Sequence, residues 1–61
     1  MTPSKLLKLR TALGLTRADF GAKLGVSDEA IRSQEYGRRG ITKMQVKLIE
    51  KIFKRELARL K

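Results

Sequence analysis

Two of the six carboxylates in this chain stand side by side at Asp28 and Glu29, with Arg32 one helical turn beyond, in a sequence that holds fifteen lysines and arginines. The stretch reads GVSDEAIRSQEYGRRG over residues 25–40. Its groups offer recognition rather than bond-making: arginine donates hydrogen bonds in a planar fork, and a carboxylate accepts them. The chain has no Cys and no His. That removes disulfides, the common zinc sites, the thiol nucleophile and the usual general base. No clustered acid–base or nucleophile set is present either, so no enzymatic activity, cofactor or metal is expected.

A formal net charge of +9 on 61 residues points to a polyanionic partner, nucleic acid above all. The plainer alternative is a surface that is merely soluble. Aromatic residues are limited to Phe20, Tyr36 and Phe53. Binders of single strands and of RNA stack bases on aromatic platforms, so their scarcity favours duplex DNA. Two carboxylates at the start of an exposed helix are then the anomaly to explain.

The elements that must position these groups are legible from caps and periodicity. The chain is read as one domain over residues 1–61, since a chain this small buries only about 60% of its unfolded surface and must have a compact core. Thr2-Pro3 opens a first helix carrying Leu6, Leu9 and Leu13 at helical spacing, and Gly14 stops it. Thr16, with Asp19 three residues on, nearly matches a capping box and opens a second helix carrying Phe20 and Leu24. Gly25 ends that helix, and Ser27 caps a third running to about Tyr36. Two short helices joined by Leu24-Gly25-Val26-Ser27 make a helix-turn-helix over about residues 16–36. Gly21 within it is expected to admit a close crossing by the third helix.

Thr42 with Gln45 is a full capping-box match. From Lys43 on there is no Gly, Pro or Asn, so the pattern predicts one continuous C-terminal helix over about 43–60. Its apolar positions form two stripes. One holds Ile41, Met44, Leu48 and Ile52; the other holds Val46, Ile49, Phe53, Leu57 and Leu60. Together they exceed what one small core needs, and the second continues after the first has stopped. It is therefore assigned to a partner chain as the dimer interface, the alternative being that it covers the first helix. The fold class expected is all-α, a small bundle of four to five helices containing a helix-turn-helix, with a long C-terminal helix. The apolar h-region of a signal peptide is absent, and no apolar stretch reaches the roughly 18 residues of a membrane span. A soluble, cytoplasmic protein is expected.

Residues 5–50 resemble the DNA-binding domain of phage repressors and Cro proteins, the Xre-like helix-turn-helix group. The string KLRTALGLTRADFGAKLGVSDEAIRSQEYGRRG carries the resemblance. Leu9-Arg10, Gly14-Leu15-Thr16, Leu24-Gly25-Val26-Ser27, Ile31 and Glu35-x-Gly37 fall where the family has its counterparts. The chain departs from the pattern at Gly21, where the family usually has Ala, and at Gln34, where it usually has a large apolar residue. It also has Ile41-Thr42 where the family often has a Pro, and the family's fourth and fifth helices are read as fused.

The resemblance implies roles. Arg10 and Glu35 form an ion pair in many relatives; otherwise they are two exposed charges. A helix-turn-helix sets its third helix in the major groove, N-terminal residues toward base edges, so Ser27, Asp28, Glu29, Arg32 and Ser33 are the base-contacting candidates. Arg32 suits guanine O6 and N7, or else a phosphate. Asp28 and Glu29 have two readings. They stabilise the positive end of the helix dipole, or they accept from cytosine N4, repel phosphate elsewhere and, through an Asp28–Arg32 pair, ready the arginine. Arg38, Arg39 and Lys43 belong to a loop that straddles the DNA backbone in the family, and Thr16 and Arg17 are further phosphate candidates. Lys47, Lys51, Lys54, Arg55 and Arg59 read as a solvated face. The function implied is that of a dimeric, sequence-specific transcriptional repressor of phage or mobile-element type on an inverted-repeat operator in duplex DNA. The alternative is an antitoxin or interaction module that docks its last helix on a protein partner. The helix-turn-helix argues against a membrane role for that helix.

Overall fold

A computed structural model describes residues 1–59. Five helices follow in order: α1 (Pro3–Ala12), α2 (Arg17–Leu24), α3 (Asp28–Glu35), α4 (Lys43–Ile52) and α5 (Lys54–Arg59). There is no strand among the described residues, and the all-α bundle expected from the sequence is the fold observed. No described helix is long and apolar enough to cross a membrane.

Each of the first four helices starts where a hydroxyl can replace a missing backbone partner. Thr2, Thr16, Ser27 and Thr42 each accept from the N–H three residues on, all at 3.1 Å. Such caps are worth about 1 kcal/mol apiece. The returning half of the capping box is not formed at either expected place. Asp19 makes no bond back to Thr16, and the Gln45 amide is engaged elsewhere.

The turn between α2 and α3 depends on two glycines. Gly25 caps α2 at φ 72°, a left-handed conformation that costs L side chains energy. A Cβ on Gly21 would lie 2.5 Å from the Val26 carbonyl oxygen. The close approach expected at Gly21 is therefore made by the turn leading into α3, not by the body of that helix. This explains why position 21 is Gly: a side chain there would collide with the turn backbone.

Leu6 and Leu9 of α1, Phe20 and Leu24 of α2, Ile31 of α3, Ile49 of α4 and Phe53 form the core. Phe20 and Phe53 meet with ring centroids 5.7 Å apart. The C-terminal segment is not one helix. It breaks at Phe53 (φ −114°, ψ 32°), with no Gly or Pro to cause it. The break lets Phe53 bury its ring on Phe20 while α5 folds against α1 and Leu57 packs on the core. Tertiary packing here overrides local helix preference. The fourth and fifth helices are separate, not fused as the sequence pattern predicts.

This changes the roles of the two stripes. Ile49 and Phe53 are core residues, Leu57 packs against them and Val46 is half-buried. The stripe assigned to a partner chain instead closes the protein's own interior. Ile49 and Phe53 are buried in the protein's own core, so the dimer-interface expectation is corrected at those two residues; Val46 and Leu57 are half-buried, and Leu60 lies outside the described residues. Of the other stripe, Ile41 and Leu48 also pack against the core, and Met44 and Ile52 are left 76% and 45% exposed.

Gln34 departs from the family's apolar residue without leaving a gap. Its amide and that of Gln45 exchange two hydrogen bonds of 2.7 Å, and Gln34 Nε2 also donates to the Gly40 carbonyl at 3.2 Å. Both side chains are buried. A buried amide left unpaired costs about 1–3 kcal/mol, so the reciprocal pairing decides whether these residues can be buried at all. The clasp fastens α3 to α4 and to the loop between them.

Candidate nucleic-acid interface

α3 turns Ala30, Ile31 and Gln34 inward and packs on α1 and α2. Periodicity therefore sends Asp28, Glu29 and Arg32 outward, where all three are exposed. The five base-contacting candidates divide over this face. Ser27, Glu29 and Ser33 line a shallow depression together with Arg39. Asp28 and Arg32 lie on the other flank. The Ser27 hydroxyl is committed to the N-cap. Asp28 Oδ1 accepts from the Glu29 N–H at 2.9 Å, so this carboxylate binds one of the free amides at the helix start. That geometry fits the dipole-stabilising reading and leaves its second oxygen available.

The Asp28–Arg32 pair is not formed. The described residues contain two ion pairs, Arg10–Glu35 and Arg17–Glu35. Arg32 instead turns toward the residue four places on, its Cζ 5.7 Å from the Tyr36 ring centroid. Arg17 approaches the same ring at 5.8 Å. Tyr36 thus sits between the outward arginine of α3 and the first residue of α2. Sequence reasoning gave Tyr36 no role, although an aromatic residue four places after an arginine on an exposed helical flank is a readable signal.

Glu35 is the hub beneath this face. Its side chain is 1% exposed. Arg10 Nε donates to Oε2 at 2.5 Å and Nη2 to Oε1 at 3.4 Å, while Arg10 Nη1 reaches the Leu15 carbonyl at 2.9 Å. Arg17 Nε donates to Oε1 at 3.0 Å. The hub ties the ends of α1 and α3 to the start of α2. The hydrogen bond to Glu35 also holds the Arg17 guanidinium above its ordinary pKa, against a smaller opposing effect of desolvation. Arg17, a phosphate candidate, therefore has its Nε engaged internally, with its side chain 38% exposed. Thr16 is exposed at the same helix start, its hydroxyl used as the cap.

The loop between α3 and α4 is anchored to the last turns of α3. The Arg38 and Arg39 N–H groups donate to the Ser33 carbonyl at 2.9 and 3.3 Å, and Gly40 is held by Gln34. Arg38, Arg39 and Lys43 are all exposed and without an ion-pair partner among the described residues. Lys43 is the first residue of α4, whose first turn contains no acid. A lysine beside a helix's positive end is unfavourable, unless an anion meets both. α3 has the opposite arrangement, two carboxylates in its first turn. The face thus combines an acidic, hydrogen-bonding helix start with cations at its edge. No group of side chains among the described residues is arranged to hold a metal.

A family model described as helix-turn-helix matches residues 6–60. No curated protein and no solved structure matches the chain.

Proposed function

The chain belongs to the Xre/Cro-like helix-turn-helix family of DNA-binding transcriptional regulators, and from that premise we propose that it is a dimeric repressor of phage or mobile-element type that excludes polymerase by occupying an inverted-repeat operator. The observation that carries this reading is the exposed face of α3, rigidly backed by the core and the Glu35 hub and flanked by the exposed cations of an anchored loop. Arg32 reads a base edge. Arg38, Arg39, Lys43 and the Nη donors of Arg17 hold phosphates. Asp28 and Glu29 answer the anomaly of acid in a basic chain: they brace the start of α3 and weaken attachment wherever the groove offers no matching donor.

A selection from random duplex DNA tests the reading. The wild type should recover an inverted repeat. Arg32→Ala should relax one base pair per half-site, with a loss of about 1–3 kcal/mol there. Asp28→Asn keeps the side-chain acceptor for the Glu29 N–H but removes the charge, so it should broaden preference and raise non-specific binding. A selection profile unchanged by Asp28→Asn would leave that residue with its helix role alone.

One such module reads a short stretch, and two half-sites about 34 Å apart require two. The second copy docks on the exposed Met44 and Ile52 of α4, beside the half-buried Leu48, because exposed large apolar side chains gain most from mutual burial. Positive charge on each protomer opposes this contact, so DNA assists it by neutralisation. Met44→Lys combined with Ile52→Lys should leave the monomer folded, since both residues are exposed, and should abolish cooperative operator binding. Sedimentation and binding stoichiometry indistinguishable from wild type would rule this interface out. Stoichiometric co-purification of a foreign protein bound to that face would favour the interaction-module alternative.

A further inference from the structure

The positive charge is unevenly placed. Residues 10–43, which span the helix-turn-helix and its loop, hold seven lysines and arginines against four acids; the rest of the chain holds eight against two. Of the seven, Arg10 and Arg17 are engaged with Glu35. Most of the net charge therefore lies away from the face that reads DNA. Part of it converges: Lys5 of α1, Lys47 and Lys51 of α4 and Lys54 of α5 line one open concavity along the seam between these helices, with Glu50 as its one acid and Leu57 on its floor. None of its lining residues belongs to α2, α3 or the loop between α3 and α4. None of these lysines forms an ion pair among the described residues.

We propose that this lysine seam is a second DNA-binding surface, which holds the phosphate backbone of another duplex segment while α3 is engaged with the operator. The inference builds on the DNA-binding reading of the chain and adds a bridging function to it. Lysine ammonium groups are point charges that suit phosphate without demanding a planar fork. Duplex DNA offers one negative charge per about 1.7 Å of axis, enough to meet four ammonium groups from three helices at once. No aromatic ring lines the seam, which disfavours single strands, because these bind by base stacking. Among the described residues its apolar lining is Leu57 and Ala58. An acidic amphipathic helix needs a row of pockets for residues at i, i+3 or i+4, and i+7, and the seam has none.

The test immobilises an operator duplex on beads, loads the full chain, and measures capture of a labelled duplex without operator sequence. The wild type should capture it at low salt. Lys47→Gln with Lys51→Gln should reduce capture about tenfold or more and flatten its salt dependence, since each lost phosphate contact removes its share of counterion release, with operator binding and melting preserved. Arg55→Gln with Arg59→Gln removes equal charge outside the seam and should reduce capture far less. Equal loss in the two double variants, or no loss in the first, would overturn the proposal. Displacement of the labelled duplex by polyglutamate as readily as by competitor duplex would also overturn it, in favour of an acidic protein partner. Arg32→Ala separates the two surfaces: it should relax operator choice while seam-dependent binding of random duplex persists. If Arg32→Ala leaves operator choice intact, the reading of α3 fails and the seam result stands by itself.

Discussion

Raising monovalent salt from about 50 to 200 mM is expected to weaken operator binding by about 10³–10⁴-fold. The structure leaves Arg38, Arg39 and Lys43 exposed and without an ion-pair partner among the described residues, and Arg17 half-engaged with Glu35. Two protomers then supply about six to eight phosphate contacts. Each contact releases condensed counterions, which gives a slope of roughly −5 to −7 in log affinity against log salt. The lower edge corresponds to Arg17 being withheld by Glu35, the upper edge to its Nη groups reaching phosphate. Arg38→Ala should flatten the slope by about 2 for the dimer and weaken operator and random sequence alike. It leaves the loop in place, because the anchor to Ser33 is a backbone N–H. A nearly flat titration would remove the electrostatic basis of the assignment.

What was legible in the sequence is what is local. Thr2, Thr16, Ser27 and Thr42 each cap a helix, as their types and positions predict, because a cap is settled within four residues. Gly25 closes α2 for the same reason. Contacts between elements were not legible. Gln45 three residues after Thr42 has the spacing of a capping box, yet its amide pairs with Gln34 across eleven positions. Nothing in the spacing distinguishes the two uses. Arg32 has candidate partners four residues away on either side. Asp28 binds the Glu29 N–H, and the arginine lies against Tyr36. The two stripes of the C-terminal segment are equally apolar, and the decision between them rests on a break at Phe53 that no residue type announces. Once α5 bends back to α1, the longer stripe becomes interior. Its persistence past Ile52, read as reach toward a partner, is what lets Leu57 close the core.

Arg10→Ala should be the most destabilising single change at the site. Arg10 supplies two of the three hydrogen bonds to a carboxylate that is 1% exposed, and a third of its own to the Leu15 carbonyl. Removing it leaves Glu35 buried against Arg17 alone, and the Arg17 side chain is 38% exposed, so water screens its compensation. Breaking a buried pair outright costs about 3–5 kcal/mol. With Arg17 still in place, a loss of about 2–4 kcal/mol is expected. A domain of this length has a total stability of only about 3–9 kcal/mol. The midpoint of thermal unfolding should therefore fall by about 10–30 °C, at 4–8 °C per kcal/mol for a small domain. The double variant Arg10→Met, Glu35→Leu separates burial of an orphaned charge from lost packing. It removes the charge together with its partner, and such apolar replacements are often neutral or stabilising, so most of the lost stability should return. The double variant should also free Arg17 for phosphate and steepen the salt slope toward −7. If Arg10→Ala melts within a few degrees of the wild type, the pair behaves as a surface contact. The hub would then not be what fixes α3 against α1 and α2.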